Sequence, residues 1–239
     1  MGILPKVYDE LLDDRSSSLP CDGYLQKLVS CKAALEVPAQ RMLYSQGETI
    51  HTAHFICDGL IKVTHTMSDG RRMIVGLRKS GWLLGVGAIV GDYPYPNVAE
   101  TVVRSKLCSF PAEQLRKFME ADARFATWVA KILAGGFYNS IMKISEKSLL
   151  SGRERLEKFI WEIAESIAGG EQRNVNQKNI KLKFPLKQCE VAQLISLTPQ
   201  HLARMVKQME DEGILLRQKG WIILKEPGKL WHPDRPVRS

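Results

Sequence analysis

Between Ala123 and Ser148 the apolar residues Phe125, Trp128, Val129, Ile132, Leu133, Phe137, Ile141 and Ile144 recur at steps of three and four. That spacing is the period of an α-helix, and it predicts one long helix with a wide apolar face. Gly135-Gly136 falls in its middle, where each glycine costs about 1 kcal/mol against alanine but allows a bend or a close helix approach. The period returns over Arg153–Ala168 with Leu156, Phe159, Ile160, Ile163 and Ile167, after a hinge expected at Ser151-Gly152. Two shorter helices follow. Lys187–Ile195 carries Val191, Leu194 and Ile195 on one side, and Ser196-Leu197 breaks it. A new helix is then announced by Thr198 as N-cap and Pro199 at the first helical position, and Gly213 is placed to close it.

Upstream the pattern is that of strands. His54–Cys57, Leu60–Met67, Arg72–Leu77, Trp82–Leu84, Ala99–Val103 and Lys106–Phe110 are short β-like runs separated by turn residues such as Asp58-Gly59 and Ser68-Asp69-Gly70. Many short strands at this spacing predict a small antiparallel barrel or roll. Tyr44–Glu48 reads as a turn, Pro111–Glu120 as a short helix, and Tyr24–Ala34 as another, after a loose arm over residues 1–20. Near the end, Ile214–Arg217 and Trp221–Leu224 flank Gln218-Lys219-Gly220 as a hairpin, and Ile180–Phe184 alternates like an edge strand. The chain is therefore expected to be α+β, with residues 1–122 forming an arm and a β-roll, 123–150 the long helix, and 151–239 a winged helix-turn-helix.

The helix from Pro199 has two unlike faces. Leu202, Met205, Val206 and Met209 form its apolar side, whereas Gln200, Arg204 and Lys207 lie opposite at positions i, i+4 and i+7. A side-chain amide and a guanidinium one turn apart are groups that bond bidentately to adenine and guanine edges in a major groove. Such a stripe can equally be a plain solvated face. The neighbourhood favours DNA: from Lys181 to Ser239 there are eleven Lys and Arg against six Asp and Glu, a basic balance suited to phosphate.

The segment Phe184–Gly220, with its core LTPQHLARMVKQMEDEGIL, resembles the winged helix-turn-helix of the bacterial CRP/FNR regulators, and the similarity extends over most of the chain. The G-L-I-K-V and S-D-G-R-R segments around residues 59–72 are similar to that family's cyclic-nucleotide-binding type of β-roll. The resemblance implies a homodimeric transcription regulator on inverted-repeat double-stranded DNA, with RNA polymerase as a further partner. It implies that Gln200 and Arg204 meet bases, while Thr198, His201, Lys207, Arg217 and Lys219 meet or flank phosphates. Gln200 stands where the family usually has Glu, so the family's best-known operator is not carried over. The long helix is implied to pair with its copy across a two-fold axis through Phe125, Val129, Ile132, Gly136 and Ile141.

The effector site departs from the family. Cyclic-nucleotide binders of this fold use a Gly-Glu pair on the ribose and an Arg about ten residues later on the phosphate. Here the turn is Gly85-Val86-Gly87, and no Arg or Lys occurs between Lys79 and Arg104. A buried phosphate without a cation would cost several kcal/mol. Cyclic AMP and cyclic GMP are therefore not the expected effectors. Gly85, Val86, Gly87, Val98 and Ala99 are candidates to line a site for some other small molecule, and the alternative is a roll filled by its own side chains.

No cofactor, metal or catalytic residue is expected. An iron–sulfur cluster needs about four thiolates, and the closely spaced N-terminal Cys trio of the family's oxygen sensor is missing. Cys57 and Cys108 read as small apolar residues and Cys21 and Cys31 as free thiols in an exposed segment. His51, His54 and His65 suggest a metal-dependent enzyme of the cupin kind as an alternative function, and an effector-independent DNA-bending protein as another. The 239 residues are enough for a sensor and a small DNA-binding domain, and the net charge of +8 favours an anionic partner. The first twenty residues carry four acids and no continuous apolar core, so they do not read as a secretory signal. No apolar run approaches the ~20 residues of a membrane span, and the cytoplasm is the expected location.

Overall fold

A computed structural model describes residues 34–168, 179–183, 185–218 and 221–230. They fall into two units, one ending at Met142 and one beginning at Lys143. In the first unit two four-stranded antiparallel sheets form the roll. One sheet has the order β1 (Leu35–Val37), β8 (Ser105–Pro111), β3 (Thr52–Asp58), β6 (Leu83–Leu84), and the other β2 (Met42–Tyr44), β7 (Val98–Thr101), β4 (Leu60–Thr66), β5 (Arg72–Lys79). The strands match the runs read from sequence to within a few residues. Tyr44, expected in a turn, instead ends β2, pairs with Ala99 and is buried. The helix expected over Tyr24–Ala34, apart from its last residue, lies outside the described residues, as do Cys21 and Cys31.

Helix α1 (Val86–Gly91) occupies the apolar stretch after β6, and α2 (Ala112–Ala121) follows β8. The long helix α3 runs from Ala123 to Leu149, and its first half closes the roll. Phe125, Val129 and Ile132 are buried in one cluster with Ala53, Leu83, Val86, Ile89, Cys108 and Phe110. A second cluster, built from Tyr44, Ile56, Ile61, Val63, Tyr95, Ala99 and Leu107, fills the space between the sheets.

The second unit holds the end of α3, then α4 (Gly152–Ala168), β9 (Ile180–Lys183), α5 (Gln188–Leu194), α6 (Pro199–Asp211), β10 (Leu215–Gln218) and β11 (Trp221–Leu224). Ser151 and Glu154 cap α4 reciprocally, the Ser151 amide donating to the Glu154 carboxylate at 2.7 Å and the Glu154 amide to the Ser151 hydroxyl at 3.2 Å. β11 is the centre of a three-stranded antiparallel wing, with β10 and β9 at its edges. One core serves the whole unit, made from Leu156, Ile160 and Ile163 of α4, Leu182 of β9, Leu202, Met205, Val206 and Met209 of α6, and Leu215 and Leu224 of the wing.

Candidate nucleic-acid interface

Helix α6 is fixed at both ends by its own sequence. The Thr198 hydroxyl accepts the His201 amide at 3.1 Å, and Pro199 takes the first helical position, where no donor is needed. At the other end Gly213 adopts a left-handed φ of 69°, its amide donates to Glu210 O, and the Ile214 amide donates to Met209 O, both at 2.9 Å. This crossed pair satisfies carbonyls that the helix leaves open. The turn before α6 uses the same device without a glycine. Ser196 takes φ 57°, and the Ser196 and Leu197 amides return to Gln193 O and Ala192 O at 3.1 and 2.8 Å. Helices α5 and α6 are thereby set at a defined angle.

The inner face of α6 is fully seated: Leu202, Met205, Val206 and Met209 are all buried. Where α4 crosses it the approach is close: a Cβ on Gly152 would stand 2.9 Å from Leu197 Cδ2 and 3.6 Å from the His201 ring, so Leu197 would have to shift to admit one. The outer face presents Gln200, Arg204 and Lys207, all exposed, with Thr198 exposed at the start. Arg204 and Lys207 make no hydrogen bond or ion pair with another described residue. His201, half-buried beside Gly152, is at the edge of this face rather than on it.

Arg217, expected to meet or flank phosphate, is engaged within the protein by Glu210. Its Nε and Nη2 both donate to Glu210 Oε2, at 2.9 and 2.7 Å, and its amide donates to Oε1 at 2.8 Å. These bonds raise the guanidinium above its ordinary pKa and hold the Glu210 carboxyl below the usual carboxylate range. Sequence did not reveal this clamp between wing and helix, nor a second one in which Arg153 bonds to Glu157 at 2.6 Å and Glu212 at 2.7 Å. Lys219 lies outside the described residues.

Val86 belongs to the cluster under α3, whereas Ala99 belongs to the cluster between the sheets, and both are spent on the protein's own packing. Gly85, with φ 81°, sits where a Cβ would approach the Tyr95 ring at 3.1 Å, and Gly87 is exposed. The interior is instead organised by aromatic stacking: the Tyr44 and Tyr95 rings lie 3.9 Å apart at 9°, and the Tyr95 hydroxyl donates to Thr52 O at 2.5 Å. Burial pushes the Tyr44 hydroxyl far above its ordinary pKa. Arg78, two residues before the cation-free stretch, lies 4.3 Å over the Trp82 ring, donates to Leu77 O at 2.9 Å and is felt electrostatically by Tyr44. A period-two pattern marks Arg78 and Gly76 as sharing a face, and a Cβ on Gly76 would collide with that guanidinium. Sequence alone gave no reason to single out this pair.

The histidines offered for a metal site are separated. His54 on β3 meets the Ser109 hydroxyl through Nδ1 at 2.8 Å, and His65 on β4, in the other sheet, meets Pro96 O at 2.8 Å. Among the described residues no three His, Cys, Asp or Glu side chains are grouped to hold a metal ion.

The dimerisation face also needs correction. Phe125, Val129 and Ile132 are buried inside their own roll, at 3%, 1% and 7% exposure, and so cannot meet a second chain. The large apolar residues that α3 turns outward are Phe137, Tyr138, Ile141, Met142, Ile144 and, at its end, Leu149. Gly136, beside this stripe, has open space where a Cβ would stand. No helix among the described residues is long and apolar enough to cross a membrane.

Two family models match the chain in tandem, the cyclic nucleotide-binding domain over residues 34–122 and the Crp-like helix-turn-helix domain over residues 154–232. The nitrogen fixation regulation protein FixK of Rhizobium meliloti (strain 1021) is 23% identical over 195 residues, covering 80% of this chain and 82% of that protein. In fold the chain is similar to FixK2 from Bradyrhizobium japonicum, with TM-score 0.64 and 18% identity over 83% of this chain and 96% of the other. It is also similar to CLP, the c-di-GMP responsive global regulator of Xanthomonas campestris, with TM-score 0.70 and 15% identity over 84% and 97%. With the roll and the helix-turn-helix in this order, and both matched, the chain belongs to the CRP/FNR family of transcription regulators.

Proposed function

We propose that this protein acts as a homodimer that binds an inverted-repeat operator, with one α6 in each of two major grooves and half-site centres about 34 Å apart. The observation that carries this reading is the pairing of a buried inner face on α6 with exposed Gln200 and Arg204 one turn apart on its outer face. These two side chains read base edges, and Thr198 and Lys207 flank them at the phosphates. Arg217 serves mainly to hold the wing against α6 through Glu210. The outward stripe of Phe137, Tyr138, Ile141 and Ile144 favours a two-fold contact between long helices, since apolar residues exposed at such spacing invite burial.

The effector on this reading is not a cyclic nucleotide, because the buried, apolar Val86 occupies the turn where the family's acid would meet the ribose. A small molecule or another signal shifts the dimer between states with different spacing of the two α6 helices, a population shift. The reading places the protein in the cytoplasm, with RNA polymerase as its partner at the promoter. Selection of bound sequences from random duplex DNA by the full chain tests it. Recovery of a palindrome with two half-sites one helical turn apart supports it; enrichment of no sequence, or of a single unrepeated motif, would overturn it.

A further inference from the structure

Arg155, in the first turn of α4, places its guanidinium between two helix C-termini. Its Nη1 donates to Leu150 O at 2.7 Å and to Lys147 O at 3.2 Å, both at the end of the long helix α3. Its Nε donates to Ile195 O at 3.0 Å and its Nη2 to Ser196 O at 3.4 Å, both in the turn between α5 and α6. The last carbonyls of a helix have no acceptor role within it and carry the negative end of its dipole. One planar cation with donors on several edges is the side chain able to satisfy two such ends together, and a lysine would lack the fork. Ser196 is held in the left-handed conformation three residues before Pro199. A shift of Leu150 relative to Ser196 therefore has to break these bonds or move the start of α6.

We infer that Arg155 is the positioning residue that sets the recognition helix relative to the long helix, and so fixes the half-site spacing the dimer accepts. The inference rests on the dimeric DNA-binding reading above. Arg153 and Lys158 support the same junction through carboxylates, Arg153 pairing Glu212 and Lys158 pairing Glu146. Arg155 bonds backbone carbonyls on both sides of the junction. Because carbonyl acceptors do not depend on partner identity, its register follows the backbone itself.

The test uses the full chain, its selected operator, and operators whose spacer is lengthened or shortened by one base pair, which displaces one half-site by about 3.4 Å along the duplex. Wild type is expected to prefer the correct spacer by about tenfold or more, the scale of a typical coupling. Arg155→Gln is expected to narrow that preference to within about threefold while keeping base preference inside each half-site, and Arg155→Lys to fall between. Thermal unfolding of each variant separates this from lost stability, since a merely structural residue would lower Tm and affinity but leave spacer preference intact. Unchanged spacer preference in Arg155→Gln overturns the inference, as does a uniform loss of affinity with a shallower salt dependence, which would make Arg155 a phosphate contact. If wild type shows no spacer preference, the dimeric operator reading itself fails, and this inference falls with it.

Discussion

Glu210 and Arg217, seven residues apart and on different elements, form a clamp of three hydrogen bonds, two from the guanidinium and one from the Arg217 amide. The cation at Arg217 is thus neutralised within the protein before any DNA arrives. Lys207, on the outer face of α6, makes no hydrogen bond to the Glu210 carboxylate and acts on it only through its charge. Each phosphate neutralised adds about 0.9 to the slope of log affinity against log salt. Lys207→Ala is therefore expected to reduce that slope by about one, and Arg217→Ala to leave it nearly unchanged, measured by fluorescence anisotropy across a salt series. A fall in slope for Arg217→Ala equal to that for Lys207→Ala would show that the clamp opens on DNA.

The cap on α6 and the strained turn before it make opposite predictions. Thr198→Ala removes the acceptor for the His201 amide and is expected to cost about 1 kcal/mol of stability. Ser196→Gly relieves a left-handed residue that pays a Cβ penalty of roughly 1 kcal/mol, and is expected to be neutral or stabilising. Urea unfolding of the two variants checks both signs.

The caps were legible in the sequence because they are local: Thr198, Pro199 and Gly213 each have a conformational preference that acts within one turn. The polar stripe of Gln200, Arg204 and Lys207 was legible for the same reason, since helical periodicity decides which residues share a face. What covers a face is a tertiary fact. Phe125, Val129 and Ile132 and the outward Phe137, Ile141 and Ile144 have the same period, and only the position of the roll separates them. Arg155 left no trace in the pattern because its partners are backbone carbonyls, which every residue has. The Tyr44–Tyr95 stack was hidden because its two rings come from segments far apart in the chain.

That separation on α3 yields a contrast in assembly. Ile141→Asp, at an exposed position, is expected to shift the protein toward monomer by sedimentation while the roll stays folded. Phe125→Ala, in the buried cluster, is expected to cost about 3–5 kcal/mol of stability without changing the association of whatever remains folded. Dimers that survive Ile141→Asp intact would place the interface elsewhere.

Acid should loosen the roll through His54. Burial lowers its pKa to about 4, against the ordinary ~6.5 of an unfolded chain. The unfolded state therefore binds the proton more readily between these values. Stability attributable to this group is fully present above about pH 6.5 and is lost as pH falls toward 4, by up to about 3 kcal/mol. Unfolding curves across this range should slope upward with pH, and His54→Gln should flatten them.

The central claim is that Arg204 reads a base, and its most direct test is selection from random duplexes by wild type and by Arg204→Ala side by side. The variant is expected to lose preference at one position in each half-site, by about 1–3 kcal/mol, with the other positions and the palindrome retained. An unchanged motif bound more weakly at every sequence, with the salt slope reduced by about one, would make Arg204 a phosphate contact and contradict the account.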